Sequence, residues 1–406
     1  MTNYPELRAL EQKQDYLSLI QELKKLVDKD KRVFTDPYVK EWCGRRWRNL
    51  FINEAAKDPQ AVKVAGKKIG GIRVKDKRPD RQKVAERYMR GTGPMEWSTE
   101  MPEAQIKAVK KTTMIFAPGL LTGMLPVQAF ENAFPALEEK CGYKILRADS
   151  HPMRGCAANI ADLLRAVEDG VGFAANSERI GPETAVAPKD VFFMGYSKGT
   201  PDVLALLVER PDLKSRVRCL INWAGAPGGS HLANNIHDAL AGLPIEAMES
   251  RMTDIVRMMA PFLSFKGVMA RMHEFDITTA VKDLTMPERE AFNSQHNATL
   301  DAMDIPIFNI TGSTSPLEVP IFQVQGVLEL NRYDSNNDMQ VTQQCSKIHM
   351  PMATDLAMLR GHHWDLSYSP FPRTMRMGSP NLDHPFPKEA AAAALFQFVT
   401  ELGLVN

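Results

Sequence analysis

The stretch Val191-Phe192-Phe193-Met194-Gly195-Tyr196-Ser197-Lys198-Gly199-Thr200 constrains the chain more than any other. An apolar run enters Gly-x-Ser-x-Gly, and a helical pattern follows from Pro201 through Leu204, Leu207 and Val208. The spacing predicts a buried strand, a sharp turn and a helix, with Ser197 held above the C-terminal edge of a sheet. Gly195 and Gly199 lie two residues either side of Ser197, where a Cβ would meet neighbouring backbone. Pro201 suits a first helical turn, because its missing N–H would have no partner there. Strand, turn and helix together make Ser197 a candidate nucleophile, which the bare motif would not.

From residue 112 onward strands and helices alternate. Residues 112–117, 143–147, 190–194, 217–223, 305–310 and 355–359 read as strands, and 126–137, 157–167, 203–208 and 387–402 as helices. That rhythm predicts an α/β fold with a mostly parallel sheet covered on both faces. Residues 231–300 interrupt it. They read as a helical insertion rich in methionine: Met248, Met252, Met258, Met259, Met269 and Met272. The expected organisation is a basic, mainly helical N-terminal extension over 1–111, a first core part over 112–230, a lid or cap over 231–300, and a second core part over 301–406.

Leu7, Leu10, Tyr16, Leu17, Ile20, Leu23 and Val27 lie near one face of a helix expected over residues 4–29. The net charge of +1 conceals an asymmetry. Residues 1–111 carry about +10 and the remainder about −9. Between 31 and 90, Arg45-Arg46-Trp47-Arg48, Lys67-Lys68, Arg73, Lys75, Lys77, Arg78, Arg81 and Lys83 crowd together. This surface either docks onto the acidic remainder of the same chain or meets an anionic surface; no nucleic-acid module is visible, so no specific nucleic acid is expected. Gly91-Thr92-Gly93-Pro94 marks the boundary.

Five scattered cysteines without a Cys-x-x-Cys read as reduced thiols, with no disulfide frame and no zinc site. Residues 1–6 lack the basic and apolar regions of a signal peptide, and no run approaches 18 apolar residues. A cytoplasmic protein without a membrane span is expected.

A serine hydroxyl needs a base, an orienting carboxylate and donors for the oxyanion. In a strand–elbow–helix fold these follow in the order Ser, Asp or Glu, His. The base candidate lies in Gly361-His362-His363-Trp364-Asp365, just after the last predicted strand. His363 is preferred to His362. His151, His231, His237, His273, His296, His349 and His384 read as ordinary polar or capping residues. The acid candidate is Asp338 in the polar loop Asp334-Ser335-Asn336-Asn337-Asp338, with Asp334 as the alternative. A plain surface turn is the competing reading of that loop. The oxyanion donors are expected to be the backbone N–H groups of Lys198 and of Leu120, in Ala117-Pro118-Gly119-Leu120-Leu121-Thr122-Gly123. The Lys198 side chain is expected in a salt bridge at the elbow, with contact to an anionic substrate group as the alternative.

These residues resemble the α/β-hydrolases, and within them bacterial lipases with a lid. Pro118-Gly119-Leu120-Leu121-Thr122-Gly123 is similar to the family's H-G-L-x-G oxyanion loop, with Pro118 in place of its His. Residues 225–234 resemble A-P-H-x-G-S-x-x-A-D, and Asp283-Leu284-Thr285 with Ala291-Phe292-Asn293 resembles L-T-T…F-N of the lid region. Asn337-Asp338-Met339-Gln340-Val341 stands where the family has N-D-G-L-V with its catalytic acid, and His363-Trp364-Asp365 where it has H-L-D with its base. The resemblance covers about 112–400 and leaves out 1–111. Many such lipases bind calcium through a carboxylate two residues after the catalytic His. Asp365 matches that position, but Ser313-Thr314-Ser315 offers no second Asp nearby, so no metal is expected.

The expectation is a serine hydrolase of carboxylic esters with Ser197, His363 and Asp338 as triad, Leu120 and Lys198 as oxyanion donors, an acyl-bearing substrate and no organic cofactor. Alternatives are a thioesterase or amidase using the same residues, and a non-catalytic protein binding an acyl ligand or, through residues 31–90, an anionic surface. Chain length of the acyl group and oligomeric state are not legible.

Overall fold

The computed structural model describes residues 4–69, 72–104, 109, 111–240, 265–376 and 378–405. Its centre is an eight-stranded sheet. The strands are β3 (Thr112–Ala117), β4 (Lys144–Arg147), β5 (Gly172–Ala174), β6 (Arg179–Ile180), β7 (Asp190–Tyr196), β8 (Val217–Trp223), β9 (Ile307–Ser313) and β10 (Ala353–Arg360). Their order is β10-β9-β8-β7-β3-β4-β5-β6. Pairing is parallel from β10 to β4, and antiparallel at β4–β5 and β5–β6. A separate hairpin, β1 (Lys68–Ile69) with β2 (Ile72–Arg73), belongs to the N-terminal part.

All six predicted strands are present. β3 and β9 are buried along their whole length, as a parallel sheet covered on both faces requires. The two antiparallel edge strands were not expected. They have three and two residues and are largely half-buried, so they show neither an apolar run nor an alternation to read.

Helices before the sheet are α1 (Pro5–Gln12), α2 (Tyr16–Lys29), α3 (Pro37–Lys57), α4 (Pro59–Ala65) and α5 (Asp80–Tyr88). The single helix expected over 4–29 is therefore two. Gln14 turns left-handed at φ 57°, and the Asp15 carboxylate accepts the Ser18 N–H at 3.2 Å, capping α2. Further on come α6 (Ala133–Cys141), α7 (Cys156–Glu168), α8 (Gly199–Glu209) and α9 (His231–Leu240), then α10 (Ile277–Lys282), α11 (Met286–Asp301), α12 (Val324–Leu330) and α13 (Lys388–Glu401). The helix expected over 126–137 starts only at Ala133. Residues before it form a turn instead, with Phe130 at φ 54° and its N–H bonded to Ser367 O at 2.6 Å. Within the 231–300 insertion, residues 241–264 lie outside the described residues, and with them Met248, Met252, Met258 and Met259. Among the described residues no helix is long and apolar enough to cross a membrane.

Side chains of the N-terminal part are built into the main core. Phe34, Trp42, Trp47 and Phe51 are fully buried in the same cluster as Phe308, Phe386 and Phe396. Phe34 meets Phe308 of β9 edge-on at 5.4 Å, and Phe51 stacks on Phe386 at 5.7 Å. Arg46 of α3 is buried against Glu401 of α13 through bonds of 2.6 and 2.7 Å. Arg32 pairs with Asp301 and Asp304, and Arg87 and Arg90 approach Glu318. Part of the basic surplus of residues 31–90 is thus spent on acidic residues of the remainder.

Candidate active site

β7 runs into the turn at Ser197, whose φ is 55°. A Cβ on Gly195 would lie 2.7 Å from Thr200 Cα, and one on Gly199 would lie 2.0 Å from Ala117 O. Only glycine lets α8 leave so close to β7 and β3. A Cβ on Gly119 would come within 2.6 Å of Ser197 Cβ, so the loop after β3 rests directly on the elbow.

The loop after β10 delivers His363, and the polar loop after α12 delivers Asp338. His363 Nδ1 and Asp338 Oδ2 are 2.6 Å apart, and the side chains are 2 % and 1 % exposed. Asp338 Oδ1 accepts the N–H groups of Gln340 (3.0 Å) and Val341 (2.8 Å), and the His363 N–H donates to Asp338 O at 2.8 Å. Tyr196 stacks on the imidazole at 5.0 Å and donates its hydroxyl to His363 O at 3.0 Å. The ring is held on one edge and one face. Its other nitrogen, Nε2, is buried and has no hydrogen-bond partner among the described residues. His363 and Ser197 line the same cavity, of about 90 Å³. No Ser197–His363 hydrogen bond is formed; contacts of this kind often tighten only once a substrate is bound.

Asp334 is not in this arrangement. Its carboxylate accepts the N–H groups of Asn336 (2.8 Å) and Gln343 (3.2 Å), closing the turn that precedes Asp338. His362 points elsewhere as well. Its Nε2 bonds Asn381 O at 2.9 Å and its Nδ1 accepts the Asp365 N–H at 3.1 Å. Asp365 Oδ1 accepts the Phe386 N–H at 2.9 Å. Among the described residues no three His, Cys, Asp or Glu side chains gather in a way that could hold a metal ion.

The Lys198 side chain forms the salt bridge anticipated at the elbow. Its Nζ lies 2.5 Å from Asp202 Oδ1, both side chains being buried, and Asn159 Nδ2 donates to Asp202 Oδ2 at 2.9 Å. Burial opposes the ammonium charge, but Asp202, with Cys156 and Asp283 behind it, holds the Lys198 pKa above the ordinary value. The Lys198 backbone stands at the N-terminus of α8, where N–H groups lack intrahelical partners. Leu120 lines the cavity from the facing loop.

That loop is strained and braced. Leu121 and Gly123 are left-handed, and Thr122 Oγ1 donates to Gly119 O at 2.9 Å. Beyond it, Arg147 at the end of β4 donates to Ala129 O (2.7 Å), Phe130 O (3.2 Å) and Ala175 O (3.1 and 3.2 Å). Its guanidinium lies over the Phe134 ring at 4.6 Å, and burial pushes its pKa down to about 10. This brace escaped the sequence reading; the only sign was a basic residue closing an apolar strand, Lys144-Ile145-Leu146-Arg147.

The rest of the cavity wall is mostly apolar, with Ser230 and Gln340 as polar exceptions. Met153 contributes, and Ile236, Ile277, Val281 and Leu284 come from residues 231–300. Residues 271–276 are tied to the residues after β4: the Asp276 N–H bonds Met153 O at 2.8 Å, and Arg271 donates to Asp149 O at 2.6 Å and to Asp162 at 2.8 Å.

No protein-family model matches the sequence, and no curated protein matches it. Solved structures do. The metagenomic carboxyl esterase MGS0156 aligns with a TM-score of 0.53 and 20% identity over 74% of this chain and 79% of that chain. Bacillus licheniformis lipase BlEst2 in mature form gives 0.43 and 19% over 65% and 89%. Lipase 1 from Pelosinus fermentans gives 0.44 and 13% over 63% and 93%. Sheet order, elbow and the likeness to the carboxyl esterase identify the α/β-hydrolase fold.

Proposed function

We propose that the protein is a serine hydrolase of carboxylic esters. One observation carries the reading: His363 is held by Asp338 through Nδ1 while its Nε2, at the cavity that Ser197 also lines, has no partner among the described residues. An imidazole fixed in this way is a base in the correct tautomer, lacking only the serine proton.

In the proposed reaction Ser197 Oγ attacks the ester carbonyl carbon while His363 Nε2 takes its proton. The negative charge gathers on the carbonyl oxygen, facing the N–H groups of Leu120 and Lys198. Asp338 stabilises the imidazolium. His363 returns the proton to the leaving alkoxide, and the alcohol departs from the acyl-enzyme. Water repeats the cycle: His363 accepts its proton, the hydroxide adds to the acyl carbon, and Ser197 leaves with a proton from His363. The apolar wall of Met153, Ile236, Ile277, Val281 and Leu284 suits the acyl group of the substrate. Asp149 and Ser150 line a second cavity, of about 220 Å³, together with Pro118, Thr122 and Gly123 of the loop after β3.

The test is covalent labelling with a fluorophosphonate, located by peptide mass spectrometry. Label on Ser197 that falls sharply in His363→Ala supports the triad. A folded wild-type protein that takes no label, with or without detergent, overturns it in favour of a ligand-binding protein on the same fold.

A further inference from the structure

Leu317 is 91 % exposed and Ile321 74 %, and Leu328 and Tyr333 are exposed as well. Single apolar side chains in water are ordinary, but these four fall within one segment of 17 residues. The two short turns that carry Leu317 and Ile321 both pack on α12, which carries Leu328. Between the two aliphatics sits Glu318. Three guanidiniums converge on that one carboxylate: Arg360 at 2.7 Å, Arg87 at 3.4 Å and Arg90 at 3.4 Å. Two positive charges are left uncompensated by it. Asn381 donates to Leu317 O (3.2 Å) and Val319 O (2.9 Å), tying in the loop that exposes Arg373 and Met375.

We infer that this face docks on an anionic lipid surface. Exposed aliphatics beside surplus guanidinium match the boundary of a bilayer with anionic headgroups: Leu and Ile enter the acyl region while Arg pairs with phosphate. A second copy of the chain fits poorly, because a two-fold contact through this face would set one arginine cluster against another. The face also lies beside the site. Phe322, next to Ile321, packs 6.2 Å from Trp364, which lines the cavity adjacent to His363. Docking would hold that cavity at the lipid boundary, where acyl esters are concentrated. The inference deepens the proposed ester hydrolysis, but its readout is binding and needs no turnover.

The experiment uses the full chain carrying Ser197→Ala, so that lipid is not consumed. Vesicles of phosphatidylcholine, with or without phosphatidylglycerol, are floated with the protein at low and high salt. Binding is expected on the anionic vesicles, weakening with salt, and falling about fivefold with Arg90→Gln, the loss of one basic contact. Leu317→Ser with Ile321→Ser is expected to weaken it about tenfold or more, since both aliphatics leave the acyl region. In the protein that keeps Ser197, the same double variant leaves hydrolysis of a water-soluble short ester unchanged. The inference is overturned by absent binding to anionic vesicles, by binding that the double variant does not weaken, or by a dimer in sedimentation that the double variant dissolves. If the triad reading itself fails, soluble-ester turnover is missing from every variant while vesicle binding stands.

Discussion

The two sides of one loop, the cavity side at His363 and the back side at His362, put neighbouring histidines into opposite chemical situations. On the cavity side the imidazole faces a carboxylate at 2.6 Å, and among the described residues Nε2 has no partner. On the back side His362 spends both nitrogens on the backbone, at Asn381 and Asp365. Burial lowers its pKa, and this outweighs Asp365 and the Asn381 carbonyl, which favour the proton. A general base needs an open nitrogen and a counter-charge for the imidazolium; His363 has Nε2 free among the described residues and Asp338 beside Nδ1.

Exchanging the two histidines gives the sharpest contrast. On the triad reading His363→Ala lowers kcat by about 10⁶-fold with the fold intact. His362→Ala is expected to keep the chemistry and to lose about 2–4 kcal/mol of stability, from lost packing and backbone groups left unpaired. Turnover of a soluble ester and urea unfolding, run on both variants, measure this. Equal losses of kcat in two well-folded variants would erase the distinction.

The carboxylates repeat the contrast more gently. Asp338→Asn keeps an acceptor for the Gln340 and Val341 N–H groups but can present its amide to His363 Nδ1, favouring the wrong tautomer; about 10⁴-fold in kcat is expected. Asp365→Asn retains an oxygen for the Phe386 N–H, so kcat should stay within about threefold and stability within about 1 kcal/mol. Parallel kinetics on the two variants decide it.

Much of this was legible beforehand, because it depends on chain order and local pattern. The elbow is announced by glycines whose Cβ atoms would collide with backbone, and the polar loop at Asp338 and the loop after the last strand announce the pair that Asp338 forms with His363. Other features depend on what meets what in space. The break at Gln14 rests on one carboxylate, Asp15, outcompeting helix continuation. β5 and β6 exist because β4 offers them an edge. His384 reads as an ordinary polar residue in the sequence, yet it is buried, and among the described residues neither ring nitrogen has a partner. Nothing in the text around it states that Phe371 will lie 4.6 Å from its ring and Lys388 will cap its carbonyl.

The elbow shows how a buried charge differs when its counter-charge is at hand. Lys198 and Asp202 satisfy one another at 2.5 Å. Lys198→Met would strand the Asp202 carboxylate, at a cost of about 3–5 kcal/mol, whereas Lys198→Met with Asp202→Leu should recover most of that. Unfolding of the two variants measures the difference. A single variant as stable as wild type would mean that Asn159 alone satisfies Asp202.

A pH-dependent effect belongs to the back side, and its sign follows from His384. Burial holds its pKa well below the ordinary 6.5, and its surroundings add to this, since His362, Lys388 and Arg376 all disfavour a further positive charge. The folded protein therefore keeps His384 neutral at pH values where the unfolded chain binds a proton. The contribution is fully present above pH 6.5 and is lost as pH falls from there towards the depressed folded value. Each pH unit in that window costs up to about 1.4 kcal/mol for one such group. His362, also depressed, acts in the same direction. His384→Asn removes the titration while suiting the left-handed backbone there, φ 46°. Its unfolding free energy should therefore fall less steeply than that of wild type between pH 6.5 and 5, while the two remain close at pH 8. Matching slopes would show that His384 finds a proton-accepting environment on unfolding no different from the folded one, and that the back side is not the acid-sensitive half of this loop.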